Sequence, residues 1–180
     1  PQAEVWERFV LPGWPRTAQA AVRTAIAKLS YDWAWRHNWA LRPGIAELLH
    51  AVSGAGIPMA VVSNTLVGAA HRDFLAKAGF GALFAAQVYS DEAGVRKPNP
   101  QMIWYATSEL RVPAERCWFV GDSRRRDVLC ARRAEVAVAV LMRSPRTDRE
   151  DASRWPEPDV EVDNGHDLLN LIELGGTMAP

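Results

Sequence analysis

From residue 43 onward the sequence alternates between two periodicities, and that alternation leaves the chain few folds to choose from. Predominantly apolar runs are "IPMAVVS" (57–63), "AAQVYS" (85–90), "RCWFVG" (116–121), "VAVAVLM" (136–142) and "DVEV" (159–162). Stretches with helical spacing precede, separate or follow them: "RPGIAELLHAVSGAG", "NTLVGAAHRDFLAKAGF", "NPQMIWYATSELRV", "RRRDVLCARRA" and "HDLLNLIEL". The first has Pro43 near its start and Gly54 and Gly56 at its end, as helix boundaries favour. Strands of this kind are buried on both faces, and helices between them permit parallel connections. The chain therefore reads as α/β, a Rossmann-like doubly wound parallel sheet. The polar, proline-punctuated stretch 143–159, "RSPRTDREDASRWPEPD", reads as a surface loop.

Residues 1–42 have a different character. Ala18, Ala21, Val22, Ala25, Ile26 and Leu29 recur at spacings of three and four, which predicts an amphipathic helix over 17–29. In "YDWAWRHNW", Tyr31, Trp35 and Trp39 stand at i, i+4 and i+8 and share one face of a continuing helix. They serve either as a packing stripe between helices or as a lid over a substrate. The organisation is a helical piece, 1–42, followed by an α/β body, 43–180.

Charge and cysteine content exclude several functions. The 21 basic and 21 acidic side chains cancel, and no basic stripe interleaved with aromatics occurs, so nucleic acid is not an expected partner. Cys117 and Cys130 are too few for a disulfide framework or a thiolate zinc site, which suits a reducing cytoplasm. No apolar run approaches the roughly 20 residues of a membrane span, and no signal peptide is evident. A cytoplasmic protein without a membrane partner is the expectation. His37, His50, His71 and His166 lie in separate elements without metal-ligand spacing and are taken as structural.

In an open parallel sheet, ligands gather beyond the carboxyl ends of the strands. Three such ends carry chemistry: Ser63-Asn64-Thr65, then Lys97-Pro98 a short loop after the second strand, then Gly121-Asp122-Ser123 with Asp127. Singly, each has a plain alternative as a helix cap, a solvated lysine, or a carboxylate at a helix start. Together they supply a hydroxyl and an amide to hold a phosphoryl oxygen, a lysine to neutralise its charge, and two carboxylates for Mg²⁺. The helix start after Ser63 is expected to offer free backbone N–H groups to phosphate. Arg124, Arg125 and Arg126 point in different directions on a helix and are read as a solvated helix start.

"VVSN", "SDEAGVRKPNP" and "FVGDSRRRDV" resemble the second, third and fourth motifs of the haloacid dehalogenase superfamily, in their usual order. The resemblance covers roughly residues 43 to 174 and departs at Glu135, where members usually carry glycine. It implies a Mg²⁺-dependent phosphatase acting on a small phosphorylated metabolite through an aspartyl-phosphate. Ser63 and Asn64 would contact the phosphoryl group, Lys97 would stabilise its charge and the nucleophile, and Asp122 would hold Mg²⁺ with Asp127 assisting. The helical piece 1–42 would be the remnant of a cap. Dehalogenase chemistry, which needs no metal, is disfavoured because two carboxylates facing an anionic intermediate call for a cation between them.

The family's first motif, a strand ending in Asp-x-Asp whose first aspartate is the nucleophile, has no counterpart before Ser63; Asp32 lies in a helical stretch. The resemblance places that strand in the middle of the sheet, between the strands ending at Val62 and Val120. Its absence leaves both neighbours with unpaired backbone groups. An N-terminal fragment or a second chain could supply it, giving an active phosphatase that this chain alone is not. The alternative is an inactive binding or structural module that kept the fold and lost the chemistry.

Overall fold

The computed structural model of the chain describes residues 2–176. The helical piece begins with α1 (Gln2–Val5), which continues through a wider π-type turn over Trp6–Val10 into a bend, followed by the long helix α2 (Arg16–Ala34). In the body, α3 (Ile45–Gly54) leads into β1 (Met59–Ser63), α4 (Gly68–Lys77), β2 (Phe84–Tyr89) and the single turn α5 (Ser90–Ala93). Then come α6 (Gln101–Leu110), β3 (Trp118–Gly121), α7 (Leu129–Arg133), β4 (Val138–Met142), β5 (Val160–Val162) and α8 (Gly165–Gly176). Each of the five strands expected from the apolar runs is present, and every pairing is parallel.

β4 shows why these strands carry no polar alternation. Successive strand side chains point to opposite faces. Ala139 and Leu141 enter one cluster with Ile103 of α6 and Val128, Cys130 and Ala131, whereas Val140 and Met142 enter another with Leu48 of α3, Val162 and Leu168 of α8. Both faces are covered, so both sets must be apolar. On the second face α3 and α8 start against each other: Gly165 donates its N–H to Pro43 O at 2.9 Å, and a Cβ on Gly44 would lie 2.2 Å from His166 N. Glycine is required at 44 for that approach and for its φ of +75°.

The sheet is in two pieces. β1 pairs with β2, β3 with β4 and β4 with β5, and no ladder joins β1 to β3. Between the two lies a cavity of about 1110 Å³ whose walls include Met59 and Ala60 of β1, Trp118 and Val120 of β3, Leu48 of α3 and Ile103 of α6. Trp118 and Val120 remain 45% and 41% exposed, although they belong to a strand whose other edge is fully paired.

Local structure departs from expectation at two places, the end of α2 and Arg124, and accounts for the residue at Glu135. α2 stops at Ala34, with Trp35 in an extended conformation, so the aromatic residues do not share a helix. Their rings still line up: Tyr31 stacks on Trp35 at 6.0 Å, Trp35 meets Trp39 at 5.9 Å, Trp39 stacks on His71 at 4.8 Å, and His71 on Tyr89 at 5.9 Å. With the Tyr31 hydroxyl donating to Asp73 at 2.6 Å, the ladder fastens the helical piece to α4 and β2, as a packing stripe does. Arg124 is not solvated; it is 9% exposed and paired with Glu161 of β5. Glu135 has φ of +57°, the left-handed conformation that glycine adopts without strain. The helices give no candidate for a membrane span among the described residues.

Burial pushes the His71 imidazole below its ordinary 6.5, outweighing the upward pull of Asp91. The unfolded chain therefore protonates at higher pH than the folded one, so this contribution to stability is complete above 6.5 and declines as pH falls toward the folded value. Urea midpoints should decrease between pH 7 and pH 5, and His71→Phe, which preserves a ring in the stack, should flatten that slope. An unchanged slope in the variant would assign the pH dependence to other groups.

Candidate active site

The carboxyl ends of β1 and β3 face the same edge of the cavity, and Lys97 lies between them. Its Nζ donates to Val62 O at 2.8 Å on β1 and stands 2.7 Å from Asp127 Oδ1 on the far side. Asp127 is buried and Lys97 mostly so, with side-chain exposures of 6% and 11%. The lysine backbone is clamped by Asn64, whose Oδ1 accepts from Lys97 N–H at 2.8 Å and whose Nδ2 donates to Lys97 O at 2.9 Å. Both ends of the Asn64 amide are engaged, which leaves its second Nδ2–H as the donor for a phosphoryl oxygen. Ser63 ends β1 at the cavity wall, next to Asn64.

Asp127 holds the turn after β3. Its Oδ2 accepts from the backbone N–H groups of Asp122 and Ser123, both at 3.0 Å. Its Oδ1 faces the lysine as an ion pair and receives no aligned hydrogen bond. Gly121 makes this approach possible, since a Cβ there would fall 2.2 Å from the Asp127 Cβ. The chain continues through a π-type turn, Arg124–Val128, before α7. The start of that turn is already occupied by an anion: Glu150 accepts from Ser123 Oγ and from the backbone N–H of Arg124 at 2.6 Å.

Asp122 projects toward the cavity and is held by the loop after β4. Arg146 Nη1 pairs with its Oδ1 at 2.9 Å, Ser144 Oγ donates to its Oδ2 at 3.0 Å, and Thr147 Oγ1 donates to its carbonyl at 2.7 Å. The sequence-based reading missed this loop, taking 143–159 as plain surface. Only the hydroxyl and guanidinium content of "RSPRT" hinted otherwise.

Of the residues expected to form the site, Ser63, Asn64, Lys97, Asp122 and Asp127 all line the one cavity. The helix start after Ser63 is less open than expected. Thr65 N–H donates to Ser90 Oγ, Val67 N–H to Thr65 Oγ1, and Gly68 N–H to Asp91 Oδ2. A divalent cation does not fit the two carboxylates as they stand: Asp127 is taken by Lys97 and two amides, Asp122 by Arg146 and Ser144. Among the described residues, no three acidic, histidine or cysteine side chains gather around a common point. Burial raises the Cys130 thiol to about 11 and Cys117 less far, so neither offers a thiolate nucleophile near neutral pH.

A parallel α/β sheet with a lysine–carboxylate ion pair at its carboxyl edge, beside a serine and an asparagine, is an arrangement suited to an anionic ligand. The chain belongs to the haloacid dehalogenase-like hydrolase family, whose model matches residues 5–135. It is 28% identical over 130 residues to a glyceraldehyde 3-phosphate phosphatase of Methanopyrus kandleri, covering 72% of this chain and 55% of the relative. With a phosphoserine phosphatase of Thermus thermophilus it shares 30% identity, over 71% of this chain and 49% of the relative. The chain thus spans about half the length of these curated relatives.

Among solved structures, CbbY from Rhodobacter sphaeroides in complex with phosphate superimposes with a TM-score of 0.64 at 25% identity, covering 87% of this chain and 67% of that one. A 2-haloacid dehalogenase from Pseudomonas syringae does so with a TM-score of 0.68 at 22% identity, over 93% of this chain and 66% of that one, a likeness of fold alone.

Removing the Asp127 carboxylate leaves Lys97 with Val62 O but no counter-ion, and two amide N–H groups unsatisfied. Asp127→Ala should therefore cost about 3–5 kcal/mol of stability, while Asp127→Asn, which keeps an acceptor for the amides, should cost less. Urea unfolding followed by circular dichroism measures both; a loss below about 1 kcal/mol for the alanine variant would be that of an exposed ion pair and would contradict this account.

Proposed function

We propose that this chain supplies most of the active site of a phosphatase for a small phosphorylated metabolite, completed by a strand seated between β1 and β3. The observation that carries this reading is the slot itself: two strand edges without a ladder between them, running to the same site, with Ser63, Lys97 and Asp122 at its carboxyl mouth. An extended segment placed there would satisfy backbone groups on both sides and deliver its last residues to Lys97. The phosphatases among the relatives support a phosphorylated substrate.

In this mechanism Ser63 binds a phosphoryl oxygen and Lys97 offsets the negative charge that gathers on the group during transfer. Asn64 and Asp127 fix the lysine head between the two half-sheets, so its charge is in place before substrate arrives. The nucleophile is an aspartate at the end of the inserted strand, forming an aspartyl-phosphate that water then hydrolyses. Mg²⁺ would be the cofactor of the assembled site, offsetting further charge, with carboxylates of the inserted strand supplying the ligands that Asp122, held by Arg146, and Asp127, held by Lys97, do not offer as they stand. Residues 1–42 act as part of a cap, held to the body by the aromatic ladder.

The 180-residue chain alone should show no hydrolysis of generic phosphomonoesters above background. A peptide carrying an apolar strand that ends in Asp-x-Asp, added to the purified chain or joined to its N-terminus, should restore Mg²⁺-dependent turnover. Lys97→Ala should lower the restored rate by a factor on the order of 10² or more. Hydrolysis by a homogeneous chain of verified mass without peptide would place the nucleophile among residues already present. Peptide binding without turnover would favour a binding module.

A further inference from the structure

The three consecutive arginines after β3 part company in the structure, and the third is left without an anion. Arg124 is buried against Glu161, and Arg125 is exposed to water. Arg126 is partly buried and lines the cavity between the half-sheets, together with Asp122 and Asp127. Its backbone is fixed on both sides. Its N–H donates to Ser123 Oγ at 3.1 Å, Ser123 is fully buried, and the Asp127 carboxylate that follows is bound to the turn. Among the described residues its guanidinium has neither an ion-pair partner nor a hydrogen-bond acceptor. The carboxylates nearby are taken: Asp122 by Arg146 and Ser144, Asp127 by Lys97 and two amides, Glu150 by Ser123 and the N–H groups of Arg124 and Arg125. Lys97 and Arg146 thus already carry an internal counter-ion, and Arg42 gives its guanidinium to the carbonyls of Met142, Arg143 and Asp163. Arg111 and Arg116 also reach the cavity, but they are exposed and precede β3, at the end of the strand away from the site.

We propose that Arg126 reads a second anionic group on the substrate: the metabolite carries a carboxylate or a second phosphate a few bonds from the phosphoryl group that meets Ser63 and Lys97. This rests on the phosphatase reading of the same site. A partly desolvated guanidinium without an anion is a cost to the folded chain, and an anionic ligand group offsets it with charge-assisted hydrogen bonds. Engaging Arg126 breaks no internal ion pair, whereas Arg146 would first have to leave Asp122. The position also limits the size of the ligand. Arg126 immediately precedes Asp127, whose Oδ1 stands 2.7 Å from Lys97 Nζ, so the two cations flank one residue and serve anionic groups of one small molecule. The planar fork of a guanidinium presents paired donors to carboxylate or phosphate alike, which a lysine's point charge does not. A metabolite whose only charge is its phosphoryl group leaves Arg126 unpaired and forgoes this contact. Arg126 is thus a specificity-determining residue on the β3 side of the cavity, while Ser63 and Asn64 act from the β1 side.

The test is equilibrium binding to the full 180-residue chain, read by calorimetry at matched ionic strength, with ethyl phosphate, phosphoglycolate and ethylene glycol bisphosphate as probes. Wild type should bind the two probes that carry a second anionic group about tenfold more tightly than ethyl phosphate, the size of one charge-assisted hydrogen bond. Arg126→Gln and Arg126→Ala should bring both down to the level of ethyl phosphate, and Arg126→Lys should keep part of the preference. A preference for only one of the two probes supports the proposal and names the group as carboxylate or phosphate. Arg126→Gln should unfold in urea at the wild-type midpoint, because its guanidinium has no partner to lose; a lower midpoint would make the residue structural and overturn the proposal. Equal affinities for all three probes, a preference that survives both neutral variants, or a loss by the same factor for every probe would overturn it as well. Each of these outcomes leaves the phosphatase reading standing. Absence of binding by every probe would also overturn the second-anion contact, and peptide-restored turnover would then decide the phosphatase reading separately.

Discussion

The bridge that Lys97 makes between the two halves of the sheet is the contact on which the site depends. Its ammonium reaches Val62 O on one side and Asp127 on the other, where a β-ladder is missing. A buried ion pair is weak support for stability when compared with packed apolar groups, but its geometry is demanding. Asn64 meets that demand by fixing the lysine backbone from β1, and Asp127 by being fixed itself to two amides of the β3 turn. The charge is thereby held at one place although neither half-sheet touches the other through backbone hydrogen bonds. A lysine serving only stability would gain nothing from such an arrangement over a leucine; a lysine that must meet an incoming anion gains preorganisation.

The two halves are unequally supported. β3, β4 and β5 form a three-stranded unit with apolar clusters on both faces, which is the minimum for independent stability. β1 and β2 form only a pair, and a two-stranded sheet is marginal alone. Their support comes from α6, which packs on both strands, and from the aromatic ladder through His71 of α4 that reaches Tyr89 at the end of β2. Burial raises the Tyr89 hydroxyl to about 12, a sign of how thoroughly this end of β2 is enclosed. The enclosed side of β1 and β2 contrasts with the β3 edge facing the slot, where Trp118 and Val120 are still open to water. Apolar side chains on a strand edge with unpaired backbone groups are the surface that strand addition uses.

How much of this was readable in the sequence depends on the range of the interaction. The five strands and their parallel pairing follow from local runs such as "VAVAVLM", whose unbroken apolar pattern signals cover on both faces without saying which helices provide it. The positions of Ser63, Lys97 and Asp122 follow from their places just after strands. What was not legible rests on partners far along the chain. Arg124 is buried because Glu161, 37 residues later, neutralises it, and Asn64 is a clamp for Lys97, 33 residues later. The end of α2 at Ala34 is a tertiary override: the stripe Tyr31, Trp35 and Trp39 is completed by His71 and Phe74 of α4, so the rings align without a helix beneath them. Glu135 lies between, since the departure from glycine was visible while the left-handed turn that explains it was not.

The distribution of anions around the edge of the sheet narrows where a phosphoryl group can settle. Helix starts attract phosphate through their free N–H groups, and two such starts face this edge. The one after β3 is filled by Glu150, and the first turn of α4 receives the Asp91 carboxylate at Gly68 N–H. An incoming dianion would be repelled by both carboxylates, and Asp122 adds a third negative group unless a counter-ion covers it. Positive groups on the cavity between β1 and β3 include Lys97, Arg126 and Arg146. A phosphoryl group is therefore directed away from the helix starts and toward Ser63 and Lys97 at the mouth of the slot. The same gap that interrupts the sheet is the place where its electrostatics draw an anion.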